Sequence, residues 1–218
     1  MGRGGVGLAL FLMMSTTRAQ PPSDAELSSG AFVEVLRDGN LVAQTWTKAG
    51  LVAPITRVRV EAPDLSPAEL FAVAWDVASQ TRWAPRLKRL DILSAQPAEL
   101  VLYEQISVPV VRNRDYVVRL RATARGEGAD GVFRIDANAT SDASRPVDPD
   151  YVRMTDRWSR FLFAPRQGGG CQLSYDAFGD PAGALPAWLK RTGTVRGPAD
   201  FVRALVEEAR RRRKAAGR

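Results

Sequence analysis

The stretch VPVVRNRDYVVRL, residues 108–120, places four polar side chains between two apolar ends. Pro109 lacks a backbone N–H and therefore interrupts a sheet ladder, and the polar run occupies residues 112–115. After this run the side chains alternate, so Tyr116 and Val118 lie on the same face of a strand. We expect residues 112–115 to form a structural corner between two strands, with Tyr116 and Val118 pointing into the interior.

Upstream of this corner, the pattern predicts three strands followed by a helix. Two alternating runs flank Asp38–Gly39, which is typical of a hairpin turn, and residues 55–62 alternate as a third strand. Ser66 and Glu69 have the spacing of a helix capping box. An apolar face follows at steps of three and four residues, so we expect a helix over residues 66–84.

Downstream, six short β-rich segments between residues 88 and 178 are separated by turn residues. Residues 197–214 then carry an apolar stripe that includes Phe201 and Leu205, with Pro198 near the start, which predicts a long C-terminal helix. A mostly antiparallel sheet with its helices on one side is an α+β architecture.

The composition excludes several classes of function. The chain has 218 residues, 45% of them hydrophobic and 25% charged, which suits one globular domain. It contains no histidine, which excludes Ser-His-Asp and Cys-His catalysis and the usual zinc sites. Cys171 is the only cysteine, and we expect a packed thiol there. We expect no cofactor and no metal ion.

The N-terminal residues have the pattern of an export signal. Arg3 precedes an uncharged apolar run at residues 6–14, and small residues then lead to Ala19. We expect residues 1–19 to be a signal peptide cleaved after Ala19, and a periplasmic or secreted mature protein. If the segment is not a signal, the protein is cytoplasmic. Residues 20–30 are rich in proline and serine and are predicted to be a linker.

Positive charge is concentrated at the C-terminal end. Ten basic and three acidic residues lie between Pro186 and Arg218. The net charge of this segment is therefore +7, which equals the net charge of the whole chain. Such an end can contact an anionic membrane surface, or it can be a solvated helix end whose cations interact with the helix dipole. The candidate membrane contacts are Arg210, Arg211, Arg212 and Arg213.

Three motifs occur in order along the chain. The first is a proline and, a few residues later, Arg-Asp-aromatic-Val, carried by Pro109 and residues 114–117. The second is an aromatic strand ending in proline, at residues 158–165. The third is Asp-x-x-Gly-x-Leu/Ile-Pro-x-Trp, carried by Asp180, Gly183, Leu185, Pro186 and Trp188. Together they resemble the StAR-related lipid transfer (START) domain family, and the resemblance covers roughly residues 30–212 and is to a bacterial-type single-domain member.

The resemblance implies a helix-grip fold over residues 31–214. In this fold a curved antiparallel sheet surrounds a long C-terminal helix and encloses a hydrophobic cavity, and the helix acts as a lid. Family members carry sterols or phospholipids, so the expected partners are a lipid or sterol-like ligand and an anionic membrane. We expect a monomer. The candidate ligand-binding residues are Glu104, Tyr116, Val118, Phe133, Ile135, Met154, Asp156, Trp158, Tyr175, Phe201 and Leu205.

Two of these candidates are acidic. Glu104 alternates with apolar neighbours and resembles the acid that some family members hold in the cavity. The register of the family's cavity arginine falls at Leu120, with arginines only to either side. Asp156 shares a face with Met154 and Trp158, and it orients a ligand if that face points inward. If the face is reversed, Asp156 is solvated.

Three functions follow from these features. The first is a carrier that binds a lipid and transfers it between membranes. The second is a helix-grip enzyme, cyclase-like or hydrolase-like, that uses Glu104 and Asp156 as acid and base. The third is nucleic-acid binding through the arginine-rich end, which lacks an aromatic platform or a reader motif, so we expect no nucleic-acid partner.

Overall fold

The computed structural model describes residues 20–126, 128–183 and 185–217, so the predicted signal segment lies outside the described residues. The described helices are Asp24–Ser29 (α1), Pro67–Trp75 (α2) and Ala187–Ala215 (α3). The strands are Val33–Asp38 (β1), Leu41–Trp46 (β2), Ile55–Ala62 (β3), Leu87–Gln96 (β4), Glu99–Ile106 (β5), Arg114–Arg125 (β6), Val132–Thr140 (β7), Val152–Arg153 (β8), Arg157–Pro165 (β9) and Cys171–Gly179 (β10).

All ten strands belong to one curved sheet. Nine of them are antiparallel in the order β1-β2-β3-β10-β9-β7-β6-β5-β4, and β8 pairs in parallel with the start of β6. Both α2 and α3 pack on the same face of this sheet, where their apolar side chains join the main core. The core includes the thiol of Cys171, which is fully buried. Burial raises the pKa of this thiol to about 12, so Cys171 is a packed, protonated side chain. The α+β helix-grip prediction is confirmed.

The polar run ahead of β6 is a corner that fastens two other segments. The carboxylate of Asp115 is fully buried and accepts hydrogen bonds from Arg153 Nε at 2.9 Å and from the Tyr103 hydroxyl at 3.0 Å. Arg114 is also buried, and its guanidinium donates to the backbone carbonyls of Pro181 and Ala182 at 3.1 Å each. The corner therefore fastens β8, which pairs beside the start of β6, and the β10–α3 loop.

Helix α2 begins as predicted and ends earlier. Ser66 Oγ accepts from the Glu69 amide at 3.2 Å, and the Glu69 carboxylate accepts from the Ser66 amide at 2.8 Å, which completes the capping box. The α-helix ends at Trp75 and a 3₁₀ helix, Val77–Arg82, continues the chain. The predicted helix over residues 66–84 is therefore two segments.

Residues 20–30 are not the predicted linker, because α1 forms within them. Ser23 and Glu26 close a second capping box, and the helix places Leu27 in a small core on the outer face of the sheet. Asp24 pairs with Arg160 at 2.6 Å and with Arg134 at 2.9 Å. Local composition alone does not favour a helix of this length, and tertiary contacts stabilise it.

Helix α3 begins well before the predicted start. It runs from Ala187, so Pro198 lies inside the helix instead of near its beginning. Proline in a helix interior removes one backbone hydrogen bond. The wrong boundary follows from treating Pro198 as a start signal.

Candidate ligand-binding cavity

A cavity of about 330 Å³ lies between the inner face of the sheet and the first half of α3. Its apolar wall comes mainly from the inward-facing residues of β5, β6, β7, β9 and β10. The volume is within the range of pockets that hold one small organic ligand. The sequence candidates that line it are Glu104, Tyr116, Val118, Ile135, Met154, Tyr175 and Phe201.

The other four candidates lie outside the cavity wall. Phe133 stacks on Phe71, with ring centroids 4.9 Å apart, in the solid part of the core. Leu205 is fully buried one turn beyond the cavity on α3. Trp158 packs in the outer core, and Asp156 lies in the bend before β9. Trp158 and Asp156 lie outside the cavity wall for the same reason, which is the register of β9.

The structure decides which face of β9 points inward, a question that the sequence left open. Strict alternation from Met154 would turn Trp158 and Arg160 inward, but residues 154–156 are irregular and the strand starts only at Arg157, which reverses the alternation. Met154 therefore reaches the cavity, while Arg157 and not Trp158 follows it on the inner face. Arg160 consequently lies on the outer face, where it pairs with Asp136 and Asp24.

The reversal puts an arginine inside the cavity that the sequence reasoning missed. Arg157 Cζ stacks over the ring of Tyr116 at 3.9 Å from the centroid. The Tyr116 hydroxyl donates a hydrogen bond to Glu104 Oε2, because β5 and β6 place these two residues directly opposite each other. Ser159 and Tyr175 lie beside this group on β9 and β10. We call Glu104, Tyr116, Arg157, Ser159 and Tyr175 the polar cluster.

Electrostatics fix the protonation of the polar cluster. Burial raises the pKa of Tyr116 well above its ordinary value, although the charge of Arg157 opposes this. Burial lowers the pKa of Arg157, but the interactions of its guanidinium with Tyr116 and Glu104 raise the pKa by more, so it lies above its ordinary value. Burial likewise raises the pKa of Tyr175. Both tyrosines are therefore neutral hydroxyls near neutral pH, and Arg157 is a cation.

The carboxylate pair of the enzyme hypothesis is not assembled. Glu104 lines the cavity, whereas Asp156 does not, so the two acids do not face one ligand position. General acid–base catalysis by this pair requires both groups within hydrogen-bond reach of the reacting atoms. The geometry favours binding over the chemistry that was considered for Glu104 and Asp156.

Loops around one end of the cavity form its rim. The rim consists of residues 83–87, residues 107–113, residues 180–183, residues 185–186 and the start of α3, each of which contributes lining residues or adjoins them. Among the described residues, the non-glycine residues with positive φ are Arg86, Val110 and Ala182, one in each of these loops. Backbone strain of this kind persists where surrounding structure enforces it and clusters at ligand sites.

The comparisons agree with this architecture. The sequence profile of the START domain family matches residues 25–215. The chain belongs to the START domain family. The solved structures with this fold include a STAR-related lipid transfer protein fragment from Xanthomonas axonopodis, with a TM-score of 0.72, 21% identity, and coverage of 82% of this chain and 98% of that one. Human StAR-related lipid transfer protein 5 has a TM-score of 0.74 and 13% identity, and the match covers 84% of this chain and 88% of that one.

A curated relative is also similar to this START domain. An uncharacterized protein of Pseudomonas aeruginosa is 22% identical over 146 residues, which are 66% of this chain and 70% of that protein. Family membership supports a role in binding a hydrophobic ligand. Within the described residues, the START domain has no helix that is long and apolar enough to cross a membrane.

Proposed function

We propose that this START domain binds one hydrophobic molecule in its cavity and carries it between membranes. The observation that supports the proposal is the cavity itself, which lies between sheet and helix and has a wall that is mostly apolar. Burial of apolar surface contributes roughly 25 cal/mol per Å², so a single hydrocarbon chain provides enough driving force for tight binding. The polar cluster then sets the orientation of the ligand.

Ligand exchange takes place at the rim, where the cavity is nearest to the surface. Val110 is 80% exposed in one rim loop, and Trp188 is 52% exposed at the start of α3. Arg86 and Arg196 are exposed cations in the same region. Exposed apolar and aromatic side chains beside cations favour contact with an anionic membrane surface.

The arginine-rich end of α3 lies away from the rim. Residues 210–213 follow residue 197 by about 20 Å of helix. Each of the four arginines forms an ion pair, and the partners are Asp64, Glu208, Asp76 and Glu69. Their contact with an anionic membrane stays a prediction, and these ion pairs reduce the charge available for it.

Export is a further part of the proposal. If residues 1–19 are a cleaved signal, mass spectrometry of the protein from its native host will show an N-terminus at Gln20, three residues before the α1 cap. The expected fraction is extracytoplasmic. An intact N-terminus on protein recovered only from the cytoplasm contradicts export and leaves the carrier proposal in place.

The central experiment identifies the ligand. The purified protein is extracted with organic solvent and bound small molecules are analysed by mass spectrometry, followed by a transfer assay between donor and acceptor vesicles. We expect one lipid-like molecule per protein and protein-dependent transfer. A protein that is purified empty and takes up no lipid from vesicles contradicts the proposal.

A further inference from the structure

The polar cluster contains a partly buried cation, the guanidinium of Arg157. Arg157 stacks on Tyr116 and interacts with its hydroxyl, but it forms no ion pair with a described acid. Glu104 on the same wall interacts with Arg157 electrostatically, and its carboxylate accepts the hydrogen bond of the Tyr116 hydroxyl. Asp200 also lines the cavity, but its carboxylate binds Arg203 at 2.9 Å.

Arg114 adds a second buried positive charge at the same end of the cavity. It lines the cavity, is 2% exposed, and its guanidinium donates to backbone carbonyls, among them those of Pro181 and Ala182. These carbonyls satisfy its hydrogen bonds but do not neutralise its charge. The guanidinium of Arg114, which is buried, and that of Arg157, which is partly buried, therefore lie on a wall with the single carboxylate of Glu104, which leaves an excess of one positive charge.

Other buried or largely buried arginines of the protein are neutralised. Arg57 pairs with Asp176 at 2.6 Å, and Arg153 pairs with Asp115 at 2.8 Å. A buried charge without a partner is costly. Arg157 differs from them in having no ion pair with an acid among the described residues, which supports a ligand as its partner.

The polar cluster also divides the cavity along its length. In the ladder of β5 and β6, Glu104 opposes Tyr116 and Ile106 opposes Arg114, so these residues lie at the strand ends next to the rim loops. Farther along, the wall is apolar and consists of Val118, Leu120, Ile135, Ala137 and Phe161. A ligand that matches this wall has a polar head near the rim and an apolar tail in the closed end.

We propose that the cavity ligand is an amphiphile with one carboxylate head and a single hydrocarbon chain, and that Arg157 binds the head. The inference rests on the proposed function and names its ligand class. A carboxylate carries one negative charge, which equals the excess positive charge of the wall, and its two oxygens match the donors of a guanidinium. A volume of about 330 Å³, at the low end for ligand pockets, favours one chain over two.

The test compares dodecanoate with dodecanol, which share the chain and differ in the head group. Delipidated protein is titrated with each ligand in a calorimeter, below the concentration at which the acid forms micelles. We expect dodecanoate to bind about ten- to a hundredfold tighter, which is the usual contribution of a hydrogen bond to a charged group. In the Arg157→Gln variant, the preference for the acid should be lost, so that dodecanoate and dodecanol bind with the same affinity.

A matched control is Arg119→Gln on β6, since Arg119 pairs with Glu99 outside the cavity. It should retain the wild-type preference for the acid. Thermal unfolding shows whether each variant is folded. If Arg157→Gln does not fold, the comparison of the two ligands with the wild-type protein decides the question. Equal binding of acid and alcohol by the wild type overturns the carboxylate ligand and leaves the hydrophobic carrier. Binding of neither ligand, with no uptake of vesicle lipid, overturns both.

Discussion

Buried charge at single residues serves two purposes in this START domain. Asp115 is fully buried and accepts hydrogen bonds from Arg153 and Tyr103, so the corner that begins β6 is structural. Arg157 is partly buried at the cavity wall and forms no ion pair with a described acid. The cost of burying a charge therefore explains a fold contact at Asp115 and supports the proposed ligand contact at Arg157.

Asp115→Ala should lower the free energy of unfolding by about 3–5 kcal/mol, because it leaves the Arg153 guanidinium half-buried without its partner. The control is Glu34→Ala, which removes the exposed pair with Arg37 and should cost about 0–1 kcal/mol. Urea unfolding measures both changes. Similar values for the two variants contradict a structural role for the corner.

Glu208 gives the fold a pH dependence. Hydrogen bonds from Arg211 at 2.6 Å and Arg212 at 2.7 Å hold its pKa at about 2, below the ordinary value of 4.5. Because the folded-state pKa is lowered, this stabilisation is complete above about pH 4.5 and is lost as the pH falls toward about 2.

Glu208→Gln should therefore destabilise the protein near neutral pH, and the difference from wild type should shrink between about pH 4.5 and about pH 2. Denaturant unfolding over this pH range measures the difference. Glu207→Gln is the matched control, since Glu207 is exposed on the same turn. A wild-type to Glu208→Gln difference that is constant with pH contradicts this account.

At the scale of elements, α3 is weakest where it covers the cavity. Gly193, Gly197 and Pro198 all line the cavity, and glycine and proline are the poorest helix formers. No atom outside the neighbouring helix backbone lies within 4 Å of a Cβ added at either glycine, so there is open space beside the helix at both positions. The composition leaves space for a ligand and lowers the cost of opening this part of α3, which suits its expected role as a lid.

Gly197→Ala should stabilise the folded protein by about 0.5–1 kcal/mol and slow ligand release, because alanine strengthens the helix without a steric clash. Thermal unfolding measures the first effect and stopped-flow transfer of a fluorescent ligand to vesicles measures the second. Gly193→Ala repeats the test one turn earlier. Increased stability with an unchanged release rate in both variants argues against opening of α3 as the exchange step.

Helix α1 shows that a short element depends on its tertiary contacts. Its sequence contains the same Ser-x-x-Glu spacing that identified α2, but only six residues follow a proline-rich stretch. Leu27 contacts the outer core with Trp158, and Asp24 pairs with two arginines of the sheet. None of these contacts is visible in the local pattern, so the segment was taken for a linker.

At the scale of the whole molecule, the exposed apolar side chains of the rim and the run of four arginines at residues 210–213 lie at opposite ends of α3. The rim presents Val110 and Trp188, while residues 210–213 are paired with acids about 20 Å away along the helix. Docking through the rim places the cavity opening against the membrane. Docking through the arginine-rich end does not.

Replacing Val110 and Trp188 together by serine should reduce attachment to vesicles and ligand transfer severalfold, because both apolar anchors are lost. Co-sedimentation with anionic and neutral vesicles measures attachment. The comparison variant replaces Arg210, Arg211, Arg212 and Arg213 by glutamine. If these arginines contact the membrane, as the sequence predicts, this variant attaches more weakly to anionic vesicles and equally well to neutral ones. Normal transfer by the serine variant, combined with lost attachment in the glutamine variant, contradicts docking through the rim.

The sequence by itself determined the order of the main strands, of α2 and of α3, the inward face of β6 with Tyr116 and Val118, and the alternation that places Glu104 among inward-facing residues of β5. These features are local, since strand alternation and capping residues act over a few positions. The tertiary structure decided the face of β9, where an irregular segment before Arg157 reverses the alternation. It thereby placed Arg157 beside Glu104, because the meeting of two distant strands depends on register across the whole sheet and not on the pattern within either one.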